Sequence, residues 1–441
     1  MFTSILTILK DLKSHKGFLK YFKNTSWLFG EKILRIFAGI LVTVWIARYL
    51  GPEKFGLLAY AQSFVFVFMI IASLGLDSIV VRELVRNSSP YNKILGSAFI
   101  LKLIGAIIVI TFLSLAVQIT DNDDSTNLLI FVIAASIIFK SFNVIDFYFQ
   151  SKVLSKYAAL ASSISLFLSS IAKIILIICQ SPLITFAYVI VFESIVLASG
   201  LIYFYVKNLQ LKFFSWRFDW KICKKLLKDS WPLIFSGFLI SIYMKIDQIM
   251  IKEILGVEEN GQYAAAVILS EAFYFIPVVI ASSLFPAIIN AKKNNKKLYV
   301  TRLQRFYSMM IWMAIAIAIP TTFLSDWLVN FLYGEQYSLA SGVLKIHIWA
   351  SIFVFIGVAN GKWLINENLQ FFSMINTVIG VVTNVALNVI LINKIGIEGA
   401  AWATIISQSV ATCFCLLLFK KTRVSFFRLS KSLFLINTLN F

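Results

Sequence analysis

Apolar residues run in stretches of about twenty along nearly the whole chain, each closed by a short polar connection. A helix rises about 1.5 Å per residue, so such a stretch crosses a hydrocarbon layer of roughly 30 Å. The pattern predicts twelve membrane-spanning helices. Six fall near residues 26–48, 55–76, 94–119, 127–149, 155–178 and 183–205, and six near 231–254, 262–289, 304–324, 343–363, 370–392 and 398–419. The expected fold class is all-α integral membrane.

The polar connections alternate in charge. Lysine and arginine crowd the stretch 1–25, RELVRNSSPYNK, QSKVLSKY, the stretch 206–230, AKKNNKK and the stretch 420–441. The intervening GPEK, DNDDST, QSPL, GVEEN, SDWLVNFLYGEQYS and NKIG are acidic or nearly neutral. Basic connections stay cytoplasmic, which places both termini inside and the other loops outside. The domain plan is then a basic tail (1–25), a six-span N-lobe (26–205), a basic linker (206–230), a six-span C-lobe (231–419) and a basic tail (420–441). In the first tail Phe2, Ile5, Leu9 and Leu12 share a helical face among lysines, which suits contact with anionic membrane lipids. No cleavable signal is expected, because the first apolar run is full length and no A-x-A-like site follows it.

Hydrophobic residues make up 59% of the chain and charged residues 14%, which excludes a soluble protein of this length. The formal net charge of +19 would suggest nucleic acid in a soluble chain; here the positive-inside bias absorbs it, and no nucleic acid is expected. Four cysteines give neither a disulfide framework nor a zinc pattern, and Cys413 and Cys415 read as core thiols. No G-x-x-x-x-G-K-[ST] occurs; GVANGKW at 357–363 has the wrong spacing and lacks the hydroxyl. His15 and His347 make no H-E-x-x-H, and no outer loop is long enough to be a catalytic domain. These absences argue against an enzyme or an ATP-driven pump, and no cofactor is expected.

LGPEKFGLLAYA at 50–61 returns as LGVEENGQYAAA at 255–266, with six identities at one offset of 205. Ser26-Trp27 and Ser230-Trp231 correspond at an offset of 204. Six spans separate the copies, an even number, so the halves run in the same direction. The chain reads as two six-helix lobes, parallel repeats about an axis along the membrane normal. Gly51 and Pro52 end one helix and Glu53 opens the next, with Gly256 and Glu258 at the equivalent places. The motif reads as helix punctuation.

Charge inside the spans is the remaining chemistry. Arg35, Lys102, Lys140, Lys173 and Lys245 lie well within predicted helices. A cation at mid-membrane costs about 2.5–3.5 kcal/mol, so five facing lipid unpaired would cost roughly 12–18 kcal/mol. Each must reach the interface along its stem, pair with a carboxylate, or face water and an anionic substrate. Lys140 and Lys245 are closest to mid-span, where reaching out is hardest. Ser241, Lys245, Gln248 and Lys252 form one helical stripe; Ser162, Ser165, Ser169 and Lys173 form a second. Ser136, Lys140 and Asn143 make a third, and Ser373, Thr377, Gly380, Asn384 and Asn388 an uncharged fourth. Small polar stripes alone suit helix packing, whereas stripes holding a lysine at mid-depth suggest a central cationic cleft. The acids within spans are Asp146, Glu193, Asp247 and Glu271. Asp247 lies about 200° around its helix from Lys245, so the two face different ways. Asp247 and Glu271 are candidates to carry a coupling proton or sodium ion, the alternative being structural pairing with a lysine.

Three stretches carry a family resemblance. NTSWLFGEKILRIFAGILVTVWIARYLGPEKFGLLAYAQSF, followed by LGLDSIVVRELVRN, resembles the start of bacterial polysaccharide-biosynthesis flippases. DQIMIKEILGVEENGQYAAAVILSEAFYFIPVVIASSLFPAI is similar to their seventh and eighth helices, and NTVIGVVTNVALNVILINKIGIEGAAWATIISQ to their eleventh and twelfth. These O-antigen and capsule repeat-unit flippases share a superfamily with the multidrug and toxin extrusion transporters. The resemblance implies two lobes around a cleft that opens to each side in turn. It implies undecaprenyl-pyrophosphate-linked oligosaccharide as substrate, moved from the cytoplasmic to the periplasmic leaflet of the bacterial inner membrane. An O-antigen polymerase and a chain-length regulator would be protein partners. A dense anion such as pyrophosphate fits the intramembrane cations. A multidrug exporter of the same superfamily is one alternative, for which an acidic cavity would be expected. A polysaccharide polymerase is another, for which a large periplasmic loop would be expected.

Overall fold

The computed structural model describes residues 16–86, 89–209 and 215–433. Phe2, Ile5, Leu9 and Leu12, read as a lipid-facing stripe, lie outside them. Among the described residues every regular element is a helix. In order these are α1 (Lys16–Ser73), α2 (Leu76–Arg86), α3 (Tyr91–Val117), α4 (Asp124–Lys140), α5 (Val144–Ser151), α6 (Lys156–Ile178), α7 (Leu183–Leu209) and α8 (Trp220–Ile254). There follow α9 (Val257–Glu271), α10 (Phe275–Asn294), α11 (Lys296–Tyr333), α12 (Ser338–His347), α13 (Ala350–Asn366), α14 (Gln370–Ile395), α15 (Ile397–Thr412) and α16 (Arg423–Leu433).

Among the described residues ten helical stretches are long and apolar enough to cross a membrane, or eleven when Glu335–His347 and Ala350–Asn366, bent by 45°, count as one span. The first stretch, Phe29–Arg86, is broken at Gly51, whose φ of 72° and ψ of 170° are not helical. It therefore contains the first two predicted spans, and all twelve predicted spans have a helix. Large apolar side chains remain exposed, as lipid contact requires; Phe323 is 82% and Phe167 65% accessible.

The chain divides into two compact units. The first takes the described residues up to Thr43 with those from Phe64 to Phe238, the second Val44–Ser63 with the described residues from Leu239 on. The core of the first gathers Leu76, Val80, Ile94, Leu95, Phe149 and Tyr205, with Cys223 and Leu226 from the start of α8. That start was read as linker, because a hydropathy pattern stops at the membrane edge and a helix need not. Here it docks on the first unit. Ser97 hydrogen-bonds Asp219, and Lys93 pairs with the Asp219 carboxylate at 2.9 Å and holds it below the usual carboxylate range. Glu83, 3% exposed, is gripped by Arg82 and by Lys225, the latter at 2.5 Å.

The second core packs Leu303, Phe306, Tyr307, Met310, Phe355 and Trp363, and Leu429 joins it from α16. Tyr307 and Asn360 both contact the Ser425 hydroxyl there, so part of the stretch read as a basic tail is a packed helix. Cys415 is buried and all four cysteines are free.

The repeated motif proves to be more than punctuation. Gly51 and Gly256, with φ of 72° and 121°, do break helices as expected. Five residues after each, Gly56 and Gly261 bring the two copies together within the second unit. A Cβ on Gly56 would collide with the backbone oxygen of Val257, and one on Gly261 with that of Pro52. Asn260 Nδ2 donates to Gly56 O at 2.8 Å across this contact. Close backbone approach between helices is what small residues permit in a membrane.

Candidate functional site

In the first unit, the serine stripe of α6 faces α1 and α7 and assembles a charged cluster. Arg35 Nε meets Glu31 Oε1 at 2.8 Å, and its Nη1 meets Glu193 Oε1 at 3.2 Å. Its Nη2 donates to the Ser162 carbonyl at 3.1 Å. Lys173 Nζ reaches the other oxygen of Glu193 at 3.4 Å, and Ser165 Oγ donates to the Glu193 backbone at 2.6 Å. Glu193 thus joins two of the predicted cations, Arg35 and Lys173, and it also acts through space on Lys140. Two guanidinium or ammonium charges face two carboxylates.

Lys140 ends α4 where the helix tightens into the turn Ser141–Asn143. Its Nζ lies 2.8 Å from the Met69 thioether sulfur, and no carboxylate of the described residues forms an ion pair with it. A neutral thioether is a weak acceptor, so this contact supplies no counter-charge of its own. Lys102 stands apart: only 6% exposed, it pairs with Asp77 at 3.2 Å and lies 4.5 Å from the Phe147 ring centre. A charge pair plus a ring face accounts for that cation structurally.

In the second unit, Lys245 Nζ lies 3.6 Å from Glu271 Oε2. These two predicted residues of opposite role are therefore neighbours, on α8 and α9. Asp247 faces elsewhere, as the helical angle required. Its carboxylate is buried and accepts from Asn388 Nδ2 at 2.5 Å, Thr404 Oγ1 at 2.6 Å and Tyr263 OH at 3.0 Å. Asn384 Oδ1 lies 3.2 Å from Asn388 Nδ2, and Thr404 Oγ1 is 3.0 Å from the Ala400 carbonyl. Asn388 Oδ1 is buried without a hydrogen-bond partner. One amide N–H and two hydroxyls thus donate to the Asp247 carboxylate with no lysine among them, so the buried acid is satisfied by neutral groups alone. Nearby, Ser270 Oγ and His347 Nδ1 are 2.6 Å apart.

Sequence reasoning singled out Arg35, Lys140, Lys245 and Asp247 and had noted the acids Glu31, Glu193 and Glu271, but it did not say which acid meets which cation. Asp77, Glu83, Tyr263 and Thr404 carried no signal of their own. The Asn384/Asn388 pair was visible as part of a polar stripe, and a stripe of two amides four residues apart was the clue to a partner for an intramembrane acid.

Apolar helices long enough to span a bilayer, with their charged side chains paired within the units, make a multi-span membrane protein. The family model described as polysaccharide biosynthesis protein matches residues 21–292, more than half of the chain, which belongs to that family. "Probable flippase AglR" of Haloferax volcanii is 24% identical over 410 residues, covering 87% of this chain and 80% of that protein. "Capsular polysaccharide biosynthesis protein CapF" of Staphylococcus aureus is 22% identical over 400 residues, 88% of this chain and 96% of its own. The solved structure of lipid II flippase MurJ in its inward closed conformation has a TM-score of 0.72 at 18% identity, covering 93% of this chain and 91% of that one. That likeness establishes the fold.

Proposed function

We propose that the protein is a flippase for undecaprenyl-pyrophosphate-linked oligosaccharide, an O-antigen or capsule repeat unit. It carries the lipid from the cytoplasmic to the periplasmic leaflet of the inner membrane by alternating access of two six-helix lobes, with both termini cytoplasmic. It is a transporter and not an enzyme. A polymerase and a chain-length regulator take the exported units. The observation that carries this reading is Lys140, an intramembrane cation whose contact is a thioether and not a carboxylate. A cation so placed wants an anion, and pyrophosphate is the anion of a lipid-linked sugar. Arg35 and Lys173 lie on the same Glu193 and are the next contacts, with Lys102 and Lys245 as further cations of the path. Asp247 is the coupling group, holding a proton or a sodium ion with Asn384, Asn388 and Thr404.

The test is complementation of a strain lacking the gene. Lys140→Arg should restore surface polysaccharide. Lys140→Glu should leave lipid-linked repeat units in the cytoplasmic leaflet, out of reach of a glycosidase added outside, with protein at wild-type abundance in the membrane. Normal export by Lys140→Glu would refute the role of Lys140. Export of small cations in place of polysaccharide would favour the multidrug reading.

A further inference from the structure

A cavity of about 360 Å³ lies within the second unit, walled by α8, α13, α14, α15 and the turn before α10. Its size falls in the range of about 300–1,000 Å³ typical of small-molecule sites. None of the residues lining it is charged, so it is not a pyrophosphate site. Its polar groups are amides and hydroxyls: Asn376, Gln408 and Ser373, beside the aromatic rings of Tyr243 and Tyr274. Asn376 is 6% exposed, and its Oδ1 has no hydrogen-bond partner.

We propose that this cavity is a subsite for a neutral sugar ring of the transported lipid, with Asn376 and Gln408 as the specificity-determining residues. The assignment rests on the flippase reading above. Sugars present hydroxyl donors beside apolar C–H faces, and an amide acceptor with an aromatic neighbour matches both at once. A buried acceptor left unpaired is costly, and hydrocarbon cannot satisfy it. The isoprenoid chain is therefore the poorer occupant. Gly361 lines the same space, and a Cβ built there meets nothing within 4 Å. A larger side chain at 361 would grow into the cavity without straining the helix.

The experiment uses the full-length protein in lipid nanodiscs and two probes. One is the lipid-linked oligosaccharide extracted from cells lacking the gene; the other is undecaprenyl pyrophosphate without sugar. Wild type should bind the first about tenfold or more tightly, the scale of one good polar contact. Asn376→Leu, which removes the amide, and Gly361→Leu, which fills the space, should each bring the ratio to within about twofold while binding of undecaprenyl pyrophosphate is unchanged. Asn376→Gln keeps an amide and should keep most of the preference, which separates recognition from misfolding. The proposal is overturned if both leucine variants retain the preference. It is also overturned if Gly361→Leu weakens binding of undecaprenyl pyrophosphate, since the cavity would then hold the hydrocarbon chain. Equal wild-type affinity for both lipids sinks the sugar subsite alone, whereas binding of neither sinks the flippase reading with it.

Discussion

Gly261→Ala tests whether the repeated motif is a packing device or mere helix punctuation. The added Cβ would collide with the Pro52 backbone oxygen and stand 2.7 Å from its carbonyl carbon and 3.0 Å from its Cα. All three atoms are backbone, so no side chain can swing aside. Forcing a methyl group into such a contact costs about 1–3 kcal/mol. Separating the helices also stretches the Asn260–Gly56 hydrogen bond, worth about 0.5–1.5 kcal/mol. The expected loss is about 2–4 kcal/mol, read as a lower unfolding midpoint of the purified protein. Gly56→Ala strikes the same contact from the other side, so the double variant should cost less than the sum of the two. Gly39→Ala is the matched control: its Cβ meets nothing within 4 Å, and alanine should stabilise that helix by roughly 0.5–1 kcal/mol. If Gly261→Ala and Gly39→Ala unfolded alike, the reciprocal contact would carry no energy and the argument would fail.

The pair Lys245–Glu271 gives a second test. Glu271→Gln leaves Lys245 without its partner and should reduce export or abundance, and exchanging the charges as Lys245→Glu with Glu271→Lys should recover abundance; a swap no better than either single variant would show that the 3.6 Å approach is incidental. Membrane orientation is checked by labelling in intact spheroplasts of a cysteine-free background. A cysteine at the exposed Asp121 should react with an impermeant reagent and one at the exposed Lys297 should not, and the reverse result would invert the topology.

The spans were legible because about twenty apolar residues in a row have few other uses in a protein. Helix ends were less so. The α8 helix starts at Trp220, eleven residues ahead of the predicted span, because Cys223 and Leu226 bury themselves in the first core while lysines around them stay wet. Local periodicity was informative about direction. Placing Asp247 and Lys245 on different faces followed from two residues of spacing, and they do find different partners. What periodicity does not encode is which helix lies opposite. Glu271 is close in sequence to Lys245 yet on another helix, and Thr404 reaches Asp247 from 157 residues away. The Gly56–Gly261 contact was missed for a related reason: glycine signals a turn locally, and a close approach only when the opposing backbone is known.

The carboxylates beside Arg35 and Lys173 bear on how a carrier of a pyrophosphate lipid would work. Two unit charges 4 Å apart near a protein surface attract by about 4 kcal/mol. Two unopposed cations on a pyrophosphate would then supply roughly 8 kcal/mol, near micromolar affinity before any other contact. Five would hold the lipid far too tightly to release it. A transport path needs binding strong enough to admit the substrate and weak enough to let it go. Glu31 and Glu193 would temper the cluster in that sense, since an entering anion would compete with them for Arg35 and Lys173. Were such a lipid to leave, the same carboxylates would restore the pairs, so no naked charge would be stranded at membrane depth. Lys140, against Met69 and without an ion pair among the described residues, would then be the first attraction. On this view the acids are what make the cations usable in a cycle, and a count of lysines alone would have overstated the affinity of the site.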